Sequence, residues 1–215
     1  MFAGTARYAR ILVVLAALGV WMMVGTPPAQ AISFDLTGDH CTGGCGTPPF
    51  GTVTLTQNDT MVDVNVHLFA GEKFVKTGSV DFQAFKFNAN GVVLSDITVD
   101  AHTPTLQANT GAFNGGGTGN FSFGISCPSC GGGASDAFKT NIIFHVADAV
   151  IGDFVANNQG IFFVADIIGT TGNTGPVDAT AAAVVPEPAT LLLIGTGMVG
   201  LGMWRKRRPN AVLTS

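Results

Sequence analysis

The stretch MVDVNVHLF, residues 61–69, sets Val62, Val64, Val66 and Leu68 against Asp63, Asn65 and His67. A period of two sends alternate side chains to opposite faces of an extended chain, one toward a core and one toward water. GTVTLTQ (51–57) and NFSFGIS (120–126) repeat the alternation. Four denser runs of β-branched and aromatic residues, VDFQAFKFN, GVVLSDITVD, TNIIFHVADA and GIFFVADIIG, predict strands covered on both faces. Turn-forming clusters separate them: GDHCTGGCGTPP, NANG, NTGAFNGGGTG, CPSCGGGASD and ANNQG. No part of the body combines a 3.6-residue period with helix caps. The expected fold is all-β, an antiparallel β-sandwich or jelly roll over residues 32–170. GTTGNTGPVDATAAAVV (169–185) follows, and 171–185 is expected to be a flexible linker.

Both ends of the chain have a different character. Arg7 and Arg10 precede an apolar run from Ile11 to Gly25, then Pro27-Pro28 and Ala29-Gln30-Ala31. This is the three-part layout of a secretory signal peptide, residues 1–31, with signal peptidase cutting after Ala31. At the other end, VPEPATLLLIGTGMVGLGMWRKRR places Pro186-Glu187-Pro188 before an apolar segment, 190–204, and four cations, Arg205, Lys206, Arg207 and Arg208. Fifteen helical residues reach about 22 Å, short of a hydrocarbon core of ~30 Å. Such a helix spans only with thinning or snorkelling at its ends. The cations hold its C-terminal end, with residues 209–215, in the cytoplasm. Proline keeps the triplet out of the helix and extended at the outer face.

Without its ends the body has Lys73, Lys76, Lys86 and Lys139 against thirteen acids, a net charge of −9. That surface repels phosphate backbones and excludes nucleic acid as a partner. Tyr8, Trp21 and Trp204 all lie in the ends, so the body's aromatics are all phenylalanine. The aromatic platforms on which many sugar-binding modules stack their ligands are therefore missing.

The four cysteines fall in CTGGC (Cys41, Cys45) and CPSC (Cys127, Cys130). Export to an oxidising compartment makes disulfides the expectation. Local closure of each pair is favoured, cross-pairing between the loops comes second, and a four-thiolate zinc site is the sharper alternative. No catalytic constellation emerges: the body has a single glutamate, Glu72, no G-x-S-x-G, no H-E-x-x-H and no P-loop. His40, His67, His102 and His145 are dispersed, and Asp39-His40-Cys41 reads as a polar turn beside a disulfide. VDVNV could lend one or two calcium ligands but lacks the oxygen spacing of a calcium loop. No cofactor is expected, calcium being the weak exception.

The C-terminal composite, motif, helix and basic cluster in order over 186–208, resembles the PEP-CTERM sorting signal of Gram-negative bacteria. The resemblance implies a membrane-embedded processing enzyme, exosortase, that recognises the triplet and removes the tail. It implies a precursor in the inner membrane with its body in the periplasm, and a mature form at the cell surface or in the extracellular matrix. It also implies association with exopolysaccharide and biofilm, and with no catalytic constellation the expected role is non-enzymatic. The alternative is a small-ligand or calcium-dependent carbohydrate-binding module.

Overall fold

The computed structural model describes residues 30–69, 71–76 and 82–183. In chain order the strands are β1 (Ala31–Leu36), β2 (Gly38–Asp39), β3 (Gly51–Asn58), β4 (Met61–Leu68), β5 (Lys73–Lys76), β6 (Gln83–Phe87) and β7 (Ile97–Val99). They continue with β8 (Gln107–Asn114), β9 (Asn120–Ser126), β10 (Gly133–Phe138), β11 (Ile142–Ala147), β12 (Phe163–Ile168), β13 (Thr174–Ala179) and β14 (Ala182–Ala183). The fold is all-β and antiparallel, with two single-turn 3-10 helices, Leu94–Asp96 and Ile151–Asp153, as the only helical elements among the described residues.

One sheet runs β14-β1-β3-β4-β11-β7. The other is built around β12, which uses both edges. Strand β13 pairs along one edge. Strands β6 and β5 share the other, at Phe163–Ala165 and Ile167–Ile168. From there the sheet extends through β9 to β8 and through β5 to β10, while β2 pairs with β13.

The two sheets share one core. Alternation aims Val53 and Leu55 of β3 and Val62, Val64, Val66 and Leu68 of β4 inward, all fully buried. Phenylalanines from the second sheet meet them. Phe34 of β1 touches Phe163 of β12 at 4.9 Å, and Phe87 of β6 stacks on Phe144 of β11 at 5.1 Å. Phe87 also stacks on Phe123 and Phe154. A phenylalanine has no polar atom to satisfy, so it fills such a space without a hydrogen-bonding cost.

The second sheet is covered on its far side too. Phe121, Ile161 and Val164 form a small second cluster with Phe113. Strand β6 is buried at every position, as its dense sequence predicts. That burial includes Lys86, which is paired at 3.2 Å with Asp166 of β12.

Three expectations are corrected. TNIIFHVADA is not covered on both faces: β11 alternates buried side chains with the less buried Ile143, His145 and Ala147. GVVLSDITVD is mostly not strand. The Asp96 carboxylate accepts the Val93 N–H at 2.8 Å and closes a 3-10 turn, leaving only Ile97–Val99 extended. The flexible linker 171–185 is not a linker over its described part. Thr174–Ala179 pairs with β12 along its whole length and buries Val177 and Ala179 in the core. Glycine, threonine and proline composition suggested a spacer, but a partner strand with a free edge overrides composition. The domain therefore reaches residue 183 rather than 170.

Phe87→Ala should cost about 3–5 kcal/mol, the usual result of emptying an aromatic core site. Urea unfolding followed by circular dichroism measures it.

Candidate functional site

The C-terminal strand places the sorting segment. In β14, Ala182 and Ala183 lie opposite Phe34 and Ser33 of β1. Because the pairing is antiparallel, the chain leaves β14 heading toward the N-terminal end of β1, where Ala31 sits opposite Thr56. The two ends of the domain thus leave side by side. Only Val184 and Val185 separate Ala183 from Pro186. Three Cα steps span at most about 11 Å, so the triplet is held close to the folded body.

Both cysteine pairs are closed locally. Cys41 bonds Cys45 and Cys127 bonds Cys130, with Cα separations of 5.5 and 5.3 Å. Cross-pairing and the four-thiolate zinc site are thereby excluded, because no free thiol remains. The Asp39 carboxylate organises the first loop, accepting N–H bonds from Cys41 at 3.0 Å and Cys45 at 2.9 Å. Asp39, Cys41 and Cys45 bring their ligand atoms within 4.8 Å of one another. Their chemistry is already committed, the sulfurs to each other and the carboxylate to backbone.

The β12–β13 turn clamps this loop. Thr171 Oγ1 and Asn173 Nδ2 both donate to the Gly44 carbonyl. Gly169 is needed there, since a Cβ would fall 2.0 Å from the Cys45 carbonyl oxygen. His40 bonds Asp178 of β13 at 2.5 Å, so Asp39-His40-Cys41 is the polar turn beside a disulfide that its sequence suggests. The second disulfide loop is held elsewhere, by Lys76 Nζ donating to the Cys130 carbonyl.

The outer face of the six-stranded sheet is polar. Its densest point is His145 of β11, whose Nδ1 lies 2.6 Å from Asp63 of β4 and whose Nε2 lies 2.9 Å from Asp100. Carboxylates only accept, so the ring satisfies both partners by carrying a proton on each nitrogen. The Asp63 hydrogen bond raises the His145 pKa above its usual 6.5, burial opposes it, and Asp100 adds to the rise. Asp63 is therefore a strand-bridging group rather than a free calcium ligand. Beside it, Asn141 links His67 and Asn65.

The PEP-CTERM protein-sorting motif matches residues 184–208. The chain is a PEP-CTERM domain-containing protein. The match begins one residue after β14 ends. It makes this an exported protein sorted through the membrane, with exosortase as its processing partner. No curated protein and no solved structure matches the chain. Pro186, Glu187, Pro188, Arg205, Lys206, Arg207, Arg208, the 190–204 segment and Ala29 all lie outside the described residues. Ala31 is described and opens β1. Among the described residues no helix is long and apolar enough to cross a membrane.

Two outcomes follow from these contacts. Replacing Cys41 and Cys45 together by serine should cost about 2 kcal/mol, the loop-entropy value for so short a closure, read from the urea midpoint. For His145 the folded pKa lies above the unfolded one. Its stabilisation is therefore complete below pH ~6.5 and lost as pH rises through the folded value. His145→Asn should destabilise most in mildly acidic buffer and progressively less toward alkaline pH. A melting-temperature series across pH 5–9 checks the sign.

Proposed function

We propose that this PEP-CTERM protein is a non-enzymatic component of the cell surface or extracellular matrix, delivered by exosortase and associated with exopolysaccharide. The observation that carries the reading is the sorting motif at residues 184–208, which begins where the folded body ends. The apolar segment 190–204 acts as a temporary membrane helix. The cations Arg205–Arg208 stop it from slipping through while Pro186-Glu187-Pro188 is presented for cleavage.

The body suits a passive role. The two sheets around one core form a β-sandwich, locked at its loops by two disulfides. All four histidines have structural partners: His40 with Asp178, His67 with Asn141, His145 with two aspartates, and His102 between the carbonyls of Pro104 and Thr140. The outer face of β3 and β4 offers hydroxyl and amide groups to a polar polymer: Thr52, Thr54, Thr56, Asn65. Signal peptidase removes residues 1–31 first, which leaves β1 paired from Ile32 onward.

Glu187→Ala tests the reading. Export should proceed, because the N-terminal signal is untouched, and the uncut form should accumulate in the inner membrane. A fractionation blot beside wild type reads the outcome. Release of the variant at wild-type size would make the tail a dispensable extension and end this interpretation.

A further inference from the structure

Four large hydrophobic residues are exposed among those described: Phe82, Val93, Leu94 and Val150. Phe82 lies under the Lys76 ammonium at 5.4 Å. The other three occupy one rim of the six-stranded sheet, and it is the rim from which both ends of the domain leave. A chain of hydrogen bonds establishes the placement. The Gln57 N–H donates to the Gln30 carbonyl at 2.8 Å, beside the start of β1. The side chain of Gln57 accepts the Ile151 N–H at 3.0 Å and donates to the Ala149 carbonyl at 3.1 Å. Val150 lies between those two residues. The Asn90 N–H then donates to the Asp153 carbonyl, tying the Val93 turn to the Val150 turn. Ile97, just past the Val93 turn, sits opposite Val146 near the same end of β11.

The two turns are built alike. In each, an aspartate three residues on accepts the valine N–H at 2.8 Å, Asp96 for Val93 and Asp153 for Val150. Each lifts its valine to the tip, more than half exposed. From β14 to β7 the rim is roughly 24 Å wide, at about 4.8 Å per strand spacing. The membrane-directed tail leaves at one side of it, and Val93 and Leu94 stand toward the other.

We propose that this rim rests on a lipid bilayer surface while the tail is in place, with Val93, Leu94 and Val150 seated at the headgroup level. The proposal rests on the reading of 190–204 as a membrane segment. A domain tethered at one corner by the seven steps from Ala183 to residue 190 is free to rock. Apolar tips across the same rim hold it upright and keep the triplet at a fixed height for cleavage. The tether makes this contact intramolecular, so weak affinity is enough. The three side chains together have fewer carbons than one myristoyl chain, which itself binds membranes only marginally. Asp59 and Asp148, exposed on the same rim, weaken it further on anionic lipid. Such a contact holds during processing and lets go once the tail is cut.

Depth-dependent quenching tests it. The four native cysteines are in disulfides, so Val93→Cys, Val150→Cys and Lys139→Cys each give one labelling site. Lys139 is exposed just before β11 begins, at the opposite end of the sheet. Full-length precursor, with the signal removed and the tail intact, is reconstituted into zwitterionic vesicles carrying a nitroxide lipid. Its single tryptophan, Trp204, independently reports the tail. The expected result is quenching of Trp204 and of labels at 93 and 150, with label 139 unaffected. Quenched Trp204 with labels 93 and 150 no different from 139 overturns this proposal and leaves the sorting reading standing. Unquenched Trp204 removes the tail from the bilayer, and both readings fall.

Discussion

Phe87 and Phe144 meet across the gap between the two sheets, and the rest of the domain is arranged around that kind of contact. The body has no tryptophan or tyrosine, so its aromatic packing falls to phenylalanine. Phenylalanines from both sheets therefore interlock, Phe34 on Phe163 and Phe85 on both Phe144 and Phe163. With the interior filled by these rings and by buried aliphatic side chains, most polar groups lie on the outer faces and in the loops. Among the buried exceptions is the Lys86–Asp166 pair, where the second sheet is covered on its far side. Breaking one partner of such a pair leaves an uncompensated charge, so the two residues stand or fall together.

The strands that alternate cleanly were readable from their residues. β3 and β4 have partners that leave one face in water, and the period of two records that arrangement directly. β8, β10 and β13 were not readable, because NTGAFN, GASDAF and TGPVDA have the composition of turns. What makes them strands is an available edge, on β9, β5 and β12, and no local pattern announces an edge. The disulfides were legible as a preference for local closure. Their anchoring was not, because Asp39, Thr171 and Asn173 converge only after β12 and β13 have paired. The sorting signal was the most legible element, since a linear address must be read from an extended chain. The apolar rim lay beyond sequence reading: Gln57 ties the Val150 turn to the exit, and Asn90 ties the Val93 turn to the Val150 turn.

The outer face of the six-stranded sheet shows how a strongly negative body keeps its sheet intact. Like charges on neighbouring strands repel. Asp63 and Asp100 would do so, but His145 stands between them on the intervening strand and bonds both. A single imidazole thus turns a repulsive row into a bridge across β4, β11 and the end of β7. That bridge strengthens as the surroundings acidify.

The pairing of β14 with β1 sets the order in which the protein can be completed. Ser33 waits for Ala183, and β2 waits for β13. A chain threaded outward from its N-terminus presents β1 first, and its outer edge stays open until nearly the whole body has followed. By then only the sorting motif, which begins at residue 184, has still to follow. Final closure of the sheet and emergence of the sorting motif are therefore close to one event, so the body's last strand and its sorting address become available together.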